Sequence, residues 1–140
     1  MQTYDFKLVT LTIGSFNPLN EFEEGGIEFQ KDEDLFTKKK GAGGEISRTK
    51  ITGTGGKFKV RLKQTSQSNK TLNTIYLLDQ SGNAGVLPIL YKDGNDGTIV
   101  SSQNCWVNKL PLIVRKEAED MCEWEIDCDN CFINIGGITL

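Results

Sequence analysis

Between Lys57 and Lys63 the chain alternates without a break: Phe58, Val60 and Leu62 interleave with Lys57, Lys59, Arg61 and Lys63. Successive side chains of an extended strand point to opposite faces, so this period-two pattern predicts a strand with one buried and one charged face. Met121 to Cys128 repeats the pattern, with Cys122, Trp124, Ile126 and Cys128 on one side and Glu123, Glu125 and Asp127 on the other. A chain carrying two such strands has to bury one face of a sheet.

The rest of the chain adds strands and a single helix. Phe6 to Ile13 is apolar and β-branched, Gly25 to Gln30 is a shorter strand candidate, and Ile46 to Ile51 is placed to pair across a glycine-rich loop. Leu87 to Lys92 and Thr98 to Val107 flank Asp93-Gly94-Asn95-Asp96-Gly97, a hairpin turn signal because Gly and Asn tolerate positive φ. Phe132 to Ile135 follows the last long strand after a short turn. Ser66 or Ser68 can cap a helix whose apolar stripe is Leu72, Ile75, Tyr76 and Leu78. Seven or eight strands with one helix predict a mainly β fold, a β-sandwich or partly closed β-barrel with one flanking α-helix and a long inter-strand loop.

That loop is expected at about residues 30–49. Lys38, Lys39 and Lys40 stand beside Gly41, Gly43 and Gly44, a composition that favours a mobile, solvated segment over a packed one. Loops of such length in a compact domain usually carry function.

At 140 residues the chain suits one domain, 1–140, with a single core. Its start, MQTYDFKLVTLTIG, lacks the basic opening and apolar stretch of a signal peptide, and no window reaches the length of a membrane span, so a cytosol-like compartment is expected. A net charge of −3 argues against a protein that grips a nucleic-acid backbone.

Catalysis finds little support. The chain has no histidine, which excludes Cys-His and Ser-His-Asp arrangements. Carboxylate pairs such as Asp127 with Asp129, or Glu123 with Glu125, read more simply as solvated strand positions. Cys128 and Cys131 form a CxxC, but Cys122 and Cys105 do not supply the second close pair of a structural zinc site, and thiols on the Trp124 face pack as small hydrophobes. A disulfide is not expected in a reducing cytosol. The GAGG and GTGG runs do not complete a phosphate loop, because Gly55-Gly56-Lys57 opens a strand. No enzyme, cofactor or metal is expected.

Several short runs together resemble the tail tube proteins of contractile-tailed bacteriophages: Asp34, Phe36-Thr37-Lys38, Gly41, Gly44-Glu45 and Ser47-Arg48, then Leu62-Lys63-Gln64-Thr65-Ser66 with Ser68-Asn69. The likeness extends to Lys92-Asp93, Glu117-Ala118 and Glu123-Trp124 with Ile126 and Cys128, spanning most of the chain. The resemblance implies a virion structural protein that assembles with itself into rings, six-membered by family likeness, which stack into the inner tube of the tail. DNA would pass through that tube unbound, with sheath and baseplate proteins as further partners, after assembly in the host cytoplasm.

It further implies that the long loop reaches the neighbouring ring, through Asp34, Phe36, Lys38, Lys39, Lys40, Glu45 and Arg48. A conduit for a polyanion should not be basic, since each neutralised phosphate adds affinity. Two rows compete for the lumen: Glu123, Glu125 and Asp127, favoured by this argument, or the basic row of Lys57 to Lys63. The alternative is that both rows belong to neighbouring strands joined by cross-strand ion pairs. Other functional classes are a tube or baseplate ring subunit of a related contractile injection machine, and a monomeric β-sandwich binding module. Aromatics that alternate inward, Phe58 and Trp124, count against the binding module.

Overall fold

A computed structural model of the protein describes residues 3–15, 22–118 and 121–136. After one 3₁₀ turn, Phe6–Leu8, come β1 (Val9–Ile13), β2 (Phe22–Lys31), β3 (Phe36–Lys40), β4 (Ile46–Lys50) and β5 (Gly56–Lys63). Helix α1 (Ser68–Gly82) leads to β6 (Leu87–Asp93), β7 (Ile99–Lys109), β8 (Met121–Cys128) and β9 (Cys131–Asn134). The fold is mainly β with one helix, as the sequence predicts.

Seven strands form one antiparallel sheet in the order β1-β6-β7-β8-β5-β2, with β9 added to β7. The long β7 serves two partners on the same side: Ile99 to Ser102 pair with β9, and Cys105 onward with β8. The alternating residues of β5 and β8 face inward as expected, Phe58, Val60, Leu62, Trp124, Ile126 and Cys128 all being buried. Leu11 and Ile13 of β1, Ile89 of β6, Val100, Cys105 and Val107 of β7, Cys131 of β9 and Leu72 of α1 complete that core.

Local chemistry accounts for where the elements depart from expectation. Residues 6–8 leave the predicted first strand because the Asp5 carboxylate accepts from the Lys7 N–H at 2.9 Å and closes a tight turn, so pairing with β6 begins only at Val9. β2 starts earlier than predicted and carries a bulge between its pairings at Phe22 and Ile27, where Gly26 adopts φ +43°. In α1, Ser66 rather than Ser68 supplies the capping oxygen, accepting from the Ser68 N–H at 3.1 Å. Leu72, Ile75 and Tyr76 pack on the core, but Leu78 stays half exposed. At 100° per residue, position 79 continues the stripe and position 78 does not. Asp79 stands there, accepting from the Gly85 N–H at 3.3 Å and so tying down the exit from the helix.

The Asp93–Gly97 segment forms the predicted hairpin turn. Asp93 and Thr98 close it at 2.9 Å, Asp96 accepts from the Thr98 N–H, and Gly97 takes φ +85°.

Candidate functional site: a projecting ribbon and a charged sheet face

The predicted loop is a β-hairpin. β3 and β4 pair in register, Phe36 with Lys50, Lys38 with Arg48 and Lys40 with Ile46, as a two-stranded sheet of their own. The pairing of Ile46 onward across the glycine-rich loop is therefore present, and the unstructured, solvated segment expected at Lys38–Lys40 is instead half of a ribbon. The reason is the tight turn: Gly41 donates to the Glu45 carbonyl at 2.7 Å, and Gly44, at φ +90°, supplies the left-handed backbone that reverses the chain.

All ten strand residues of this ribbon are exposed. One face carries Phe36, Lys38, Lys40, Ile46, Arg48 and Lys50; the other carries Thr37, Lys39, Ser47 and Thr49. The Arg48 guanidinium lies 4.2 Å from the centre of the Phe36 ring, a cation–π contact that bridges the pair diagonally. Asp34 is exposed at the ribbon's base, and Glu45 closes its tip. The ribbon is basic, Glu45 being its one acidic side chain between Phe36 and Lys50. A lone two-stranded ribbon is marginal in water, and Lys38 opposite Arg48 sets like charges side by side.

The second region is the outer face of the main sheet. β5 and β8 lie side by side, with Lys57 opposite Asp127, Lys59 opposite Glu125 and Arg61 opposite Glu123. The two rows that the sequence offers as rival linings are thus a single face of mixed charge. Arg61 donates from Nε to Glu123 at 3.0 Å and reaches Glu28 of β2 at 3.1 Å, while Lys57 stands 3.8 Å from Glu125. The hydrogen bond to Glu28 holds the Arg61 pKa above its ordinary value. Asp127 differs from its neighbours. Burial pushes its pKa up, and its Oδ1 has no hydrogen-bond partner among the described residues.

Three of the four cysteines lie in the core, and Cys122 packs against it half-buried. Cys105 and Cys128 are directly opposite on β7 and β8, their sulfurs 2.8 Å apart, and Cys131 is buried nearby. The hydrogen bond with Cys105, and then burial, pushes the Cys128 thiol up. Among the described residues no group of three ligands is arranged to hold a metal ion.

Two structural features escape sequence reasoning. Asn69 links α1 to Trp124, which no periodicity announces. Residues 110–114, Leu-Pro-Leu-Ile-Val, leave β7 as an exposed apolar run that a buried strand would match equally well in composition.

Over residues 1–136 the chain matches the family described as Bacteriophage PhiTE tail tube protein. The chain belongs to this phage tail tube family. Membership covers nearly the whole length and makes the chain a structural component of the tail-tube class. No curated protein matches it.

Solved structures share this chain's fold at low identity. The cap of the anti-feeding prophage, which terminates its tube, superposes at TM-score 0.61 with 10% identity, over 96% of this chain and 93% of that one. The sheath/tube terminator of the PVC extracellular contractile injection system gives 0.60 and 12%, over 96% and 98%. A chain of the PVC sheath-tube complex in the extended state gives 0.56 and 12%, over 95% and 92%. No helix among the described residues is long and apolar enough to cross a membrane.

Proposed function

We propose that this chain is the building block of a phage inner tail tube: copies join into rings, six to a ring, and the rings stack into a hollow conduit inside a contractile sheath. The observation that carries this reading is the β3–β4 ribbon, exposed on both faces and too small to be stable alone. A second copy would cover it. The acidic run Asp32-Glu33-Asp34 at the base of one ribbon offers the complement to Lys38, Lys39, Lys40 and Arg48 of another, so charge would set the stacking register.

In this reading the outer face of β5 and β8 turns toward the lumen. Arg61 and Lys57 are held in ion pairs with Glu28, Glu123 and Glu125, and the interleaved acids lower the net positive charge available to hold passing phosphates. DNA then slides through without being bound, and no substrate is turned over. Assembly proceeds in the host cytoplasm, with sheath and baseplate proteins as outer partners.

The likeness of fold to tube-terminating caps favours a second reading, a ring that ends a tube rather than extending it. Negative-stain electron microscopy of the concentrated protein separates the two. Hollow tubes are expected from the full-length chain, and isolated rings or monomers after residues Lys38 to Gly44 are shortened. Single rings from the full-length chain would indicate the terminator. Monomers at every concentration would refute self-assembly by this chain alone.

A further inference from the structure

Five consecutive apolar residues, Leu110 to Val114, follow β7 outside any strand. Leu112 is 83% exposed and Ile113 76%. A contiguous apolar stretch of this kind is unfavourable in water and normally marks a contact surface.

A mainly apolar groove of about 280 Å³ lies elsewhere on the molecule, lined by Ile27 and Phe29 of β2, Tyr91 of β6, Val100 of β7, Ile133 of β9 and Ile135, with Gln30, Lys31 and Thr98 as its polar wall. It sits where the curled sheet fails to close. β2 pairs only with β5 and β9 only with β7, so each leaves an edge without a strand partner among the described residues. Ile135, at 81% exposure, stands at the rim.

Position relates the two surfaces. The groove is at the Val100 end of β7 and the run leaves its Lys109 end, about 30 Å away at roughly 3.3 Å per residue. No copy can fill its own groove with its own run across that span. Charge relates them as well. Arg115 and Lys116 follow the run directly, ahead of Glu117, whereas Asp93 and Asp96 lie in the turn next to Tyr91 and Thr98 of the groove and Lys31 is the one cation in its lining. Burial, and after it the charge of Asp93, pushes the Tyr91 hydroxyl up, so the acidic turn is electrostatically felt inside the groove. Backbone hydrogen bonds from Thr98 hold Asp96 below the usual carboxylate range, keeping it ionised.

We infer that the Leu110–Val114 run of one copy seats in the β2–β9 groove of the next, with Arg115 and Lys116 meeting Asp93 and Asp96 at the groove mouth. Different patches meet on the two copies, so the contact is head-to-tail. Repeated from copy to copy, such a contact closes a ring where the rotation between neighbours closes and runs on as a filament where it does not, whereas a self-complementary patch would stop at a dimer. This rests on the proposed reading of the chain as a self-assembling subunit and names the surfaces that join it.

Two variants test it. The run variant is Leu112→Asp with Ile113→Asp, and the groove variant is Ile135→Asp; all three positions are at least three-quarters exposed, so the fold should survive, as melting curves matching wild type will verify. If the double aspartate disturbs folding, Leu112→Ser with Ile113→Ser replaces it. Neither variant alone is expected to form rings or tubes. Mixed together, each still owns one intact half of a single contact. A tagged groove variant should therefore retain the untagged run variant at least tenfold more than it retains an untagged copy of itself.

Equal capture of both partners, or of neither, overturns the contact. Tubes formed by wild type and both variants alike would overturn this contact and leave the tube reading standing. A wild-type protein that never self-associates would overturn both.

Discussion

Asn69, in the first turn of α1, accepts the indole N–H of Trp124 on β8 at 2.9 Å. Trp124 is only 2% exposed, so its indole N–H relies on this partly buried amide oxygen rather than on water. The same side chain donates from Nδ2 to the Lys63 carbonyl at 2.9 Å, so one amide fastens the helix to the end of β5 and to β8. Asn69→Ala strands a buried donor and should cost about 1–3 kcal/mol. Urea denaturation measures the loss. Asn69→Asp should recover only part of it, because it keeps the acceptor but replaces the donor with a charge facing a carbonyl.

The two faces of β5 should respond very differently to substitution. Arg61→Met breaks its bonds to Glu123 and Glu28, but those carboxylates are exposed enough for water to take over, and the loss should stay near 1 kcal/mol. Phe58→Ala, fully buried three residues away, should cost about 3–5 kcal/mol through lost burial and the cavity left behind. Comparable losses for the two would mean that the charged face carries more stability than surface ion pairs normally do.

Asp127 gives a pH signature. Burial raises its folded pKa above the unfolded value, so the folded state binds its proton more tightly. Its contribution favours the fold at low pH and is lost as pH rises through the folded pKa. Asp127→Asn should therefore match or exceed wild-type stability at pH 7, with the difference shrinking as pH falls toward the ordinary aspartate range. A difference that widens on acidification would contradict the assignment.

Thiol reactivity should sort the four cysteines. Cys105, Cys128 and Cys131 are buried, and Cys128 is held protonated by its bond with Cys105 and by burial, whereas Cys122 is half-buried at the start of β8. An aromatic disulfide reagent at neutral pH should react first with Cys122 and reach the others only as fast as the fold opens. Cys122→Ser should remove the fast phase. Four equally fast thiols in the native protein would show that the β7–β8 core is not closed.

The elements that the sequence discloses are those whose pattern is local. Strict alternation along Lys57–Lys63 and Met121–Cys128 fixes both strands and both of their faces, and Gly and Asn in the Asp93–Gly97 turn fix the hairpin. The Phe36–Lys40 strand is hidden because three lysines in a row carry no alternation of hydrophobicity; only the register with Ile46–Lys50 makes it a strand. Leu78 is misjudged because composition extends the helical stripe where geometry turns it away.

Taken by itself, the sequence determined a mainly β chain with one helix and its buried rows, since period and turn chemistry act between near neighbours; its tail-tube kinship rests instead on the resemblance of its motifs to that family. Only the tertiary structure decided that the acidic and basic rows form one face, that Asn69 meets Trp124, and that an apolar groove and an apolar run lie at opposite ends of β7. Those relations depend on strand order and register. They are set by contacts between residues tens of positions apart, which no local pattern encodes.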